Sequence, residues 1–193
     1  MARRPVQFHP FKTTMGFPLT LDDILNWYYR TILSETSFVG EKHVSQTPLA
    51  IRPATAADLE SVIALDRRMT GVSRRGFFEK RSASMTRDPD RFTWLVAESD
   101  GQLAGFVSTH VQEGEFGSTG RTAVIDAIAT DPDRRGQGVG RALMKALEDE
   151  LRACGVAAVR SEADWTDRKM VAFFAAAGFA LAPQLILQRS VSA

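Results

Sequence analysis

The sequence predicts an α/β fold in which helices flank a mixed central sheet, with an extra helical segment at the N-terminal end. One observation is the element order, because strand and helix patterns follow one another as β-α-α-β-β-β-α-β-α-β after residue 48. Another is the run of three consecutive strands, which favours antiparallel neighbours. The later alternation of strands with helices predicts crossover connections, so the sheet is expected to be mixed.

Residues 1–48 are predicted to form a separate N-terminal helical extension. Its helix is expected to run from the N-cap Thr20 to about Ser34, because apolar residues recur there with the spacing of an amphipathic stripe. A unit of this size cannot hold a core alone. It is therefore interpreted as a packing appendage, as a dimerisation arm that would make the protein a homodimer, or as a substrate lid.

Residues 49–193 are predicted to form the main domain, which opens with one strand and two helices. The strand covers Leu49–Ala54. The four residues TAAD at 55–58 resemble a capping box with Asp in place of Glu, so the first helix is expected to start there and to reach about Met69. A second helix is expected at about Arg74–Thr86.

Three strands come next. Phe92–Glu98 and Leu103–Val111 flank Ser99–Gln102, whose Asp-Gly pair is typical of a tight hairpin turn. The third strand, Thr122–Thr130, follows a Gly-rich loop and ends at an Asp-Pro pair. These strands are the predicted antiparallel centre of the sheet.

Two further helix and strand pairs complete the domain. Val139–Cys154 is predicted to be a helix with its apolar residues, Cys154 among them, on one face. Val156–Ala163 is the expected strand after it, Asp167–Ala177 the last helix, and Phe179–Arg189 the terminal strand. A glycine follows each of the two helices as the expected C-cap.

Composition excludes several classes of function. The 24 Lys and Arg against 23 Asp and Glu leave a net charge of +1, so there is no bulk electrostatic argument for nucleic acid or an anionic membrane. One cysteine and three scattered histidines offer neither a disulfide framework nor metal-ligand spacing. No apolar run approaches the ~20 residues that a membrane helix needs. The protein is therefore expected to be cytoplasmic.

The stretch DRRGQGVGRAL at 133–143 has the densest glycines of the chain and starts an apolar helix. A P-loop is excluded because no Gly-Lys pair occurs in the sequence. A dinucleotide fingerprint is disfavoured because Arg141 stands three residues after Gly138, where a glycine is needed. A plain turn would not need this combination. The stretch therefore predicts a pyrophosphate cradle at a helix start, with Arg134, Arg135 and Arg141 supplying positive charge.

The same stretch resembles a known family. RGQGVG at 135–140 is similar to the Gln/Arg-x-x-Gly-x-Gly/Ala signature of the GNAT acetyltransferase superfamily, and Asp131-Pro132 is a typical lead-in. FFAAAGF at 173–179 resembles the family's Phe-Tyr-x-x-x-Gly-Phe helix end. The resemblance covers about residues 49–189, while residues 1–48 have no recognised match.

The resemblance implies a GNAT-type sheet and acetyl-CoA as co-substrate. The pyrophosphate would lie on the amides of about Arg135–Arg141, and the pantetheine arm would pair like a strand along Ile128–Thr130. The amide of Ile128 or of a neighbour at a bulge would polarise the thioester carbonyl. The residues assigned to cofactor binding are Ile128, Thr130, Arg135, Gly136, Gln137, Gly138, Val139, Gly140, Arg141, Asp167 and Phe174, with no metal.

Direct attack by an amine needs a proton acceptor, since amines are mostly protonated at neutral pH. Asp126 is the candidate catalytic residue, acting through water, because it interrupts an apolar strand and is expected to share a face with Ile128. A structural carboxylate is the alternative. His110 is the other acceptor considered, although a strand histidine more often has a packing or surface role. Further acidic candidates, better explained as solvated loop charges, are Glu113, Glu115, Glu162 and Asp164.

One departure from the family concerns the general acid. Phe174 stands where the family often has a tyrosine, and the two tyrosines of the chain, Tyr28 and Tyr29, are both in the N-terminal helix. The thiolate would then leave unassisted, or Ser161, Thr166 or a water would protonate it. Alternatively, the protein is a non-catalytic acyl-CoA-binding regulatory module.

The predicted helix pair at 55–87 would line the acceptor side in this family and is rich in basic residues. A basic rim would favour an acceptor with a carboxylate or phosphate, while solvated helix faces explain the same charges. A small-molecule amine and a protein amino group both stay open. The expected function is an N-acetyltransferase that moves acetyl from acetyl-CoA to a primary amine in a ternary complex.

Overall fold

A computed structural model of the protein describes residues 49–115, 120–184 and 186–191. The helix predicted at Thr20–Ser34 lies outside these residues, and the domain boundary at residue 48 stays a prediction. The chain forms two compact units, one from Glu41 to Met170 and one from Met1–Gly40 with Val171–Ala193. The division falls within the last helix.

The first unit contains a five-stranded sheet with the order β1-β2-β3-β4-β5. Strands β1 to β4 pair antiparallel, and β5 pairs parallel with β4, so the predicted mixed sheet is confirmed. The strands are β1 (Ala50–Pro53), β2 (Phe92–Ser99), β3 (Gln102–Glu113), β4 (Arg121–Thr130) and β5 (Ala158–Ser161).

The hairpin between β2 and β3 is the turn that the sequence predicts. Asp100 and Gly101 have φ values of 56° and 69°, which are the left-handed angles that a tight antiparallel hairpin requires at its two central residues. This turn starts the pairing of β2 with β3, which runs from Ser99 opposite Gln102 to Phe92 opposite His110 with a register shift between Ala97 and Glu98.

The described residues contain four helices: α1 (Leu59–Thr70), α2 (Arg75–Arg87), α3 (Val139–Ala153) and α4 (Arg168–Ala176). A 3-10 turn at Ala56–Asp58 precedes α1. There the Asp58 carboxylate accepts a hydrogen bond from the Thr55 backbone N–H at 2.7 Å, which is the contact expected from the Asp of the predicted capping box. Arg52 on β1 donates twice to the same carboxylate, each at 2.8 Å, and so ties the start of α1 to the sheet edge.

Helices α1 and α2 cover one face of the sheet. Phe78 on α2 is completely buried, stacks on Trp94 with ring centroids 6.0 Å apart, and meets Phe106 edge-on at 5.6 Å. Val62 from α1 and the small side chains Ala127 and Ala129 from β4 join this cluster. The face of β2, β3 and β4 that carries these residues is called the α2 face below.

Helix α3 packs on β2, β3 and β4 with a continuous apolar stripe. Leu143, Leu147 and Leu151 are buried at the i, i+4, i+8 spacing that an amphipathic helix provides. Gly155, with φ of 70°, ends the helix as predicted. Cys154 was expected on the buried face, and this is wrong: it is exposed, because the chain turns away at the helix end.

The strand expected at Phe179–Arg189 is also not found in the described residues 179–184 and 186–191. Pro183 has no N–H to donate to a ladder, and Ile186 and Leu187 are 71% and 89% exposed. An apolar, β-prone sequence without a pairing partner does not make a strand. No helix in the described part of the chain is long and apolar enough to cross a membrane.

Candidate active site

The glycine stretch forms a loop that leads from β4 into α3. Gly136 and Gly138 have φ values of 76° and 81°, which side-chain-bearing residues rarely adopt. Gly138 is the N-cap of α3, and the Ala142 N–H is the first to bond along the helix, to the Gly138 carbonyl at 2.9 Å. The preceding N–H groups of the first turn have no intrahelical partner. The loop therefore has unpaired backbone donors at a helix N-terminus, a geometry that suits an anion. The binding of a pyrophosphate there stays a prediction.

The loop is held from three sides. Asp131 donates its N–H to the Ala104 carbonyl at 2.8 Å, and its carboxylate accepts from the Asp133 N–H at 3.0 Å. Arg68 of α1 forms ion pairs with Asp131 at 3.3 Å and with Asp133 at 3.1 Å. Arg134 donates to the Ser99 carbonyl at 3.3 Å in the β2–β3 turn.

Arg134, Arg135 and Arg141, the three arginines predicted to supply positive charge, differ in whether their guanidinium groups are already paired. Arg134 is occupied by the turn between β2 and β3, where it also lies 3.5 Å from the Asp100 carboxylate. Arg135 and Arg141 are exposed. Arg135 and Arg141 are thus the ones whose guanidinium groups are available to a ligand at the loop.

Gly105 on β3 is a part of the site that the sequence analysis missed. A Cβ at this position would lie 2.8 Å from the Ala129 carbonyl oxygen and 3.1 Å from side-chain atoms of both Leu143 and Val139. The glycine lets the first turn of α3 lie directly on β3 and β4. A lone glycine inside a strand pattern often marks such a close approach of backbones, and this was the available signal.

Strands β4 and β5 separate halfway along β4. Their parallel ladder runs from Thr122 opposite Ala158 to Ile125 opposite Ser161 and ends there. On the other side, β4 stays paired with β3 as far as Thr130. Within the described residues, the edge of β4 from Asp126 to Thr130 therefore has no strand partner on the β5 side. This open edge holds the segment expected to pair with the pantetheine arm.

A β-bulge in β4 begins the open edge. Ser108 pairs with Ala127 and Thr109 with Ile125, so Asp126 is the extra residue. The bulge directs the Asp126 side chain to the α2 face, where it meets Arg81 of α2. Ile128 lies between Ala127 and Ala129, which both face that core, so its own side chain points to the opposite face. The expectation that Asp126 and Ile128 share a face is therefore wrong, because the bulge breaks the alternation.

Asp126 is the centre of a polar cluster. Its Oδ1 lies 2.6 Å from Arg81 Nη2 and 2.9 Å from His110 Nδ1. The Asp126 side chain is 7% exposed, against 24% for Arg81 and 26% for His110. The structure thus brings together the two proton acceptors considered from the sequence, and it adds Arg81, which no local pattern connects with a carboxylate 45 residues away.

The α2 face beside this cluster holds further buried polar atoms. Asp126 Oδ2, Ser108 Oγ and Trp94 Nε1 have no hydrogen-bond partner among the described residues. Trp94 pairs with Ser108 across β2 and β3, and Ser108 pairs with Ala127 next to the bulge. Buried polar groups without a hydrogen bond cost free energy. Ordered water or a polar ligand next to Asp126 would supply the hydrogen bonds that these three atoms lack.

The other predicted residues lie apart from this cluster or have local roles. Hydrogen bonds from the Thr166 hydroxyl and backbone N–H hold the pKa of the Asp164 carboxyl below its ordinary value. Asp167 accepts a hydrogen bond from the Met170 N–H at 3.1 Å at the start of α4. Glu113, Glu115 and Glu162 are exposed.

Phe174 is buried on α4 in the second unit, with its ring 4.9 Å from that of Phe179 and 5.3 Å from that of Phe173. Roles of Asp167 and Phe174 in binding CoA stay predictions.

The basic helix pair is largely neutralised. Arg74 pairs with the buried Asp66, and Arg75 donates to Glu60 at 2.6 and 2.7 Å. These hydrogen bonds hold the pKa of Glu60 below its ordinary value. Since Arg68 and Arg81 are paired as well, the basic rim expected from composition has few free charges. Among the described residues, no cluster of three or more metal-ligating side chains is found.

The chain is similar to known proteins in sequence and in fold. The sequence is 33% identical over 114 residues to the mycothiol acetyltransferase of Clavibacter michiganensis subsp. michiganensis, which is 56% of this chain and 35% of that protein. It is 33% identical over 90 residues to the [ribosomal protein bS18]-alanine N-acetyltransferase of Escherichia coli K12, which is 47% of this chain and 56% of that protein. The matched stretch thus spans about half or less of these curated relatives.

Among solved structures, the aminoglycoside N-acetyltransferase AAC(6')-Iy in complex with CoA has the same fold, with a TM-score of 0.66 and 17% identity. The match covers 77% of this chain and 99% of that one. The sequence model of the Acetyltransferase (GNAT) family matches residues 59–179, which is more than half of the protein and includes β2 to β5, the glycine loop and α3. On this match, and in agreement with the resemblance of its glycine stretch, the chain belongs to the Acetyltransferase (GNAT) family.

Proposed function

We propose that the protein is an acetyl-CoA-dependent N-acetyltransferase that transfers acetyl to a primary amine by direct attack in a ternary complex. The observation that carries the proposal is a juxtaposition. The glycine loop, with its unpaired helix N-terminal donors, follows directly on the edge of β4 that β5 leaves open. An anion site and a free strand edge in series fit a ligand that carries a pyrophosphate and a peptide-like arm.

In this proposal the loop residues Arg135–Arg141 bind the pyrophosphate through their backbone N–H groups. Arg135 and Arg141 add charge at the rim. The open edge at Ile128–Thr130 pairs with the pantetheine arm, and the amide of Ile128 or of a neighbour at the bulge polarises the thioester carbonyl. Asp167 and Phe174 are kept as proposed members of the CoA site on the strength of the family resemblance alone.

The polar cluster around Asp126 is the proposed proton acceptor. It lies on the α2 face at the point where the open edge begins, and helix α2 supplies Arg81 to it. An amine that enters from this side reaches the thioester carbon next to a carboxylate and an imidazole. Loss of the amine proton to this cluster is what permits attack at neutral pH.

The proposed acceptor is a small-molecule or protein amine. The names of the relatives cover a ribosomal protein alanine, mycothiol and L-2,4-diaminobutyric acid, so the family relatives differ in acceptor. The ion pairs of Arg68, Arg74, Arg75 and Arg81 leave no strong bias towards an anionic acceptor. Nucleic acid and membrane partners are not part of the proposal.

The alternative is a non-catalytic acyl-CoA-binding module. Its supporting observation is Phe174, a buried ring without a hydroxyl at the position where the family often has a tyrosine. Such a module would bind acetyl-CoA through the same loop and release no CoA. The two proposals therefore differ in turnover and agree in binding.

Calorimetric titration with acetyl-CoA, followed by a CoA-thiol release assay over a panel of small amines and peptides with free N-termini, tests both. Binding with amine-dependent thiol release supports the enzyme. Binding without release for any amine, and without an effect of Asp126→Ala, supports the module. A protein that binds no CoA thioester contradicts both proposals.

Two further parts of the proposal are a cytoplasmic location and a homodimer. With Cys154 as its single cysteine, the chain can form no internal disulfide, so its fold does not need an oxidising compartment. Cell fractionation tests the location.

Light scattering across a dilution series tests the dimer, for which a mass near 21.3 kDa would be the contradicting result.

A further inference from the structure

Asp126 and His110 are the two candidate proton acceptors that the sequence left open. The contact between His110 on β3 and Asp126 on β4 gives them different roles. We propose that His110 Nε2 takes the proton from the acceptor amine, and that Asp126 is the positioning residue that holds the imidazole for this step. The proposal rests on the acetyl transfer proposed above and assigns its proton acceptor.

Asp126 is poorly placed to take the proton itself. Its Oδ1 lies within hydrogen-bond distance of two nitrogens, Arg81 Nη2 at 2.6 Å and His110 Nδ1 at 2.9 Å. The contact with the guanidinium is a charge-assisted hydrogen bond, and bonds of this kind are strong. The remaining oxygen, Oδ2, is buried. An incoming amine would have to displace Arg81 or His110 to reach Oδ1.

The same contact fixes the histidine tautomer. A carboxylate oxygen only accepts hydrogen bonds, so His110 Nδ1 must be the donor. In the neutral ring the lone pair is then on Nε2, which has no partner among the described residues. The His110 side chain is 26% exposed, so its far nitrogen is accessible where the Asp126 carboxylate, at 7%, is not. This is the arrangement in which a carboxylate orients an imidazole base.

The register places this pair beside the open edge. His110 is opposite Val124, two residues before the bulge, and Ile125 is the last residue of β4 that pairs with β5. The base therefore lies on the α2 face next to the point where β4 becomes free. The pantetheine segment proposed at Ile128–Thr130 starts two residues beyond Asp126.

Among the described residues, two elements supply the charged side chains of the His110–Asp126 contact. Helix α2 contributes Arg81 and strand β4 contributes Asp126, whose opposite charges offset each other. On β2, the uncharged Phe92 is the partner of His110, and the side chain of the preceding Arg91 donates to the Val111 carbonyl at 3.3 Å. The protonated His110 would thus be in direct contact with the Asp126 carboxylate, which it shares with Arg81.

The amine nitrogen forms the C–N bond to the thioester carbon, its N–H bond breaks, and His110 Nε2 receives that proton to become imidazolium. The C–S bond breaks with its electron pair on sulfur. The imidazolium then gives the proton to the thiolate, which leaves amide, thiol and neutral His110. Where the proton goes to solvent instead, the products are amide, CoA thiolate and neutral His110.

Kinetics with the best amine of the panel test the assignment. We expect His110→Gln to lower kcat by about 10²–10⁴-fold with the KM for acetyl-CoA unchanged, and to abolish the fall of kcat at acidic pH. Asp126→Asn should lower kcat less while keeping a pH-dependent limb. Gln112→Ala, two residues further on the same strand and face, is the matched control and should stay within about twofold. A His110→Gln enzyme with kcat within about threefold of wild type overturns the proposal.

A second measurement does not depend on turnover. Nitrogen-15 NMR of the imidazole rings, with His110→Gln to assign the signal among the three histidines, reports the tautomer. The neutral ring should carry its proton on Nδ1 in wild type and lose this preference in Asp126→Asn. A proton on Nε2 in the wild type overturns the assignment whether or not an acceptor amine is found. Absence of CoA release from wild type with every amine instead contradicts the proposed function.

Discussion

Gly105 lies so close to Ala129 that a Cβ at residue 105 would be 2.8 Å from the Ala129 carbonyl oxygen. Two side-chain atoms from the start of α3, on Leu143 and Val139, would be 3.1 Å away. The absence of a side chain in the middle of β3 therefore sets how closely the first turn of α3 approaches the sheet. In the proposed function this turn binds the pyrophosphate, so Gly105 would act on binding without contacting the ligand.

Gly105→Ala should therefore both destabilise the fold and weaken acetyl-CoA binding. The backbone contact cannot relax by a rotamer change, so we expect a loss of about 1–3 kcal/mol in the free energy of unfolding, typical of overpacking. Gly76→Ala is the control, because Gly76 lies in α2 with nothing within 4 Å of its Cβ position, and it should stabilise by about 0.5–1 kcal/mol. Urea denaturation measures both. An unchanged stability for Gly105→Ala contradicts the prediction.

The glycine loop offers a second matched pair, at the two ends of α3. Gly138 and Gly155 have φ values of 81° and 70° with open space around both Cβ positions, so alanine is strained at either by about 1–2 kcal/mol. Gly138→Ala should lower acetyl-CoA affinity at least tenfold, because it moves the first-turn donors. Gly155→Ala should leave that affinity within about twofold. Calorimetric titration measures both, and equal affinities for the two variants would contradict the assignment of the loop.

Arg68 is predicted to matter more for binding than for stability. Its guanidinium bridges Asp131 and Asp133 and is half exposed, and exposed ion pairs contribute about 0–1 kcal/mol. Arg68→Gln should therefore change the unfolding free energy by less than about 1 kcal/mol and reduce acetyl-CoA affinity several-fold. Arg152→Gln, which removes an exposed pair at the other end of α3, is the control. The prediction is wrong if the two variants bind acetyl-CoA equally well.

The sequence was sufficient for elements whose signal is local. The Asp100-Gly101 turn, the amphipathic stripe of α3 and the glycines at 136 and 138 each follow from a few adjacent residues. The mixed order of the sheet then followed from the order of these elements. The backbone donors at the start of α3 could be predicted for the same reason, since they need no distant partner, while the binding of an anion to them stays a prediction.

The rest of the site depends on contacts between residues far apart in sequence. A bulge is a mismatch between two strands, so neither the periodicity of β4 nor that of β3 reveals that Asp126 turns to the α2 face. Its contact with Arg81 joins residues 45 positions apart. The strand predicted at 179–189 is not found in the described part of that segment, for the opposite reason. Its local composition favours a strand, but a strand forms only where it pairs with another strand.

The contact of Asp58 with Arg52 at the start of α1 should make the free energy of unfolding sensitive to acid. Hydrogen bonds from Arg52 hold the pKa of the Asp58 carboxyl well below its usual range, helped by the Thr55 N–H and hydroxyl. A carboxyl whose folded pKa is lowered contributes stability above its unfolded pKa, about 3.9, and loses that contribution as the pH falls from there towards the folded pKa. Asp58→Asn should therefore cost about 1–2 kcal/mol at pH 7 and progressively less below pH 4.

Denaturant titrations of wild type and Asp58→Asn from pH 7 to pH 2.5 measure this difference. The unfolding free energies of the two proteins should converge at low pH. Protonation of Asp58 in the wild type removes the same negative charge that the substitution removes at neutral pH. Asp149→Asn is the control: that carboxyl also has its pKa lowered, by Lys145 and Arg152, but it is about half exposed and solvent screens its ion pairs. Its effect should be much smaller. A gap between wild type and Asp58→Asn that is independent of pH would show that Asp58 acts through packing and not through its charge.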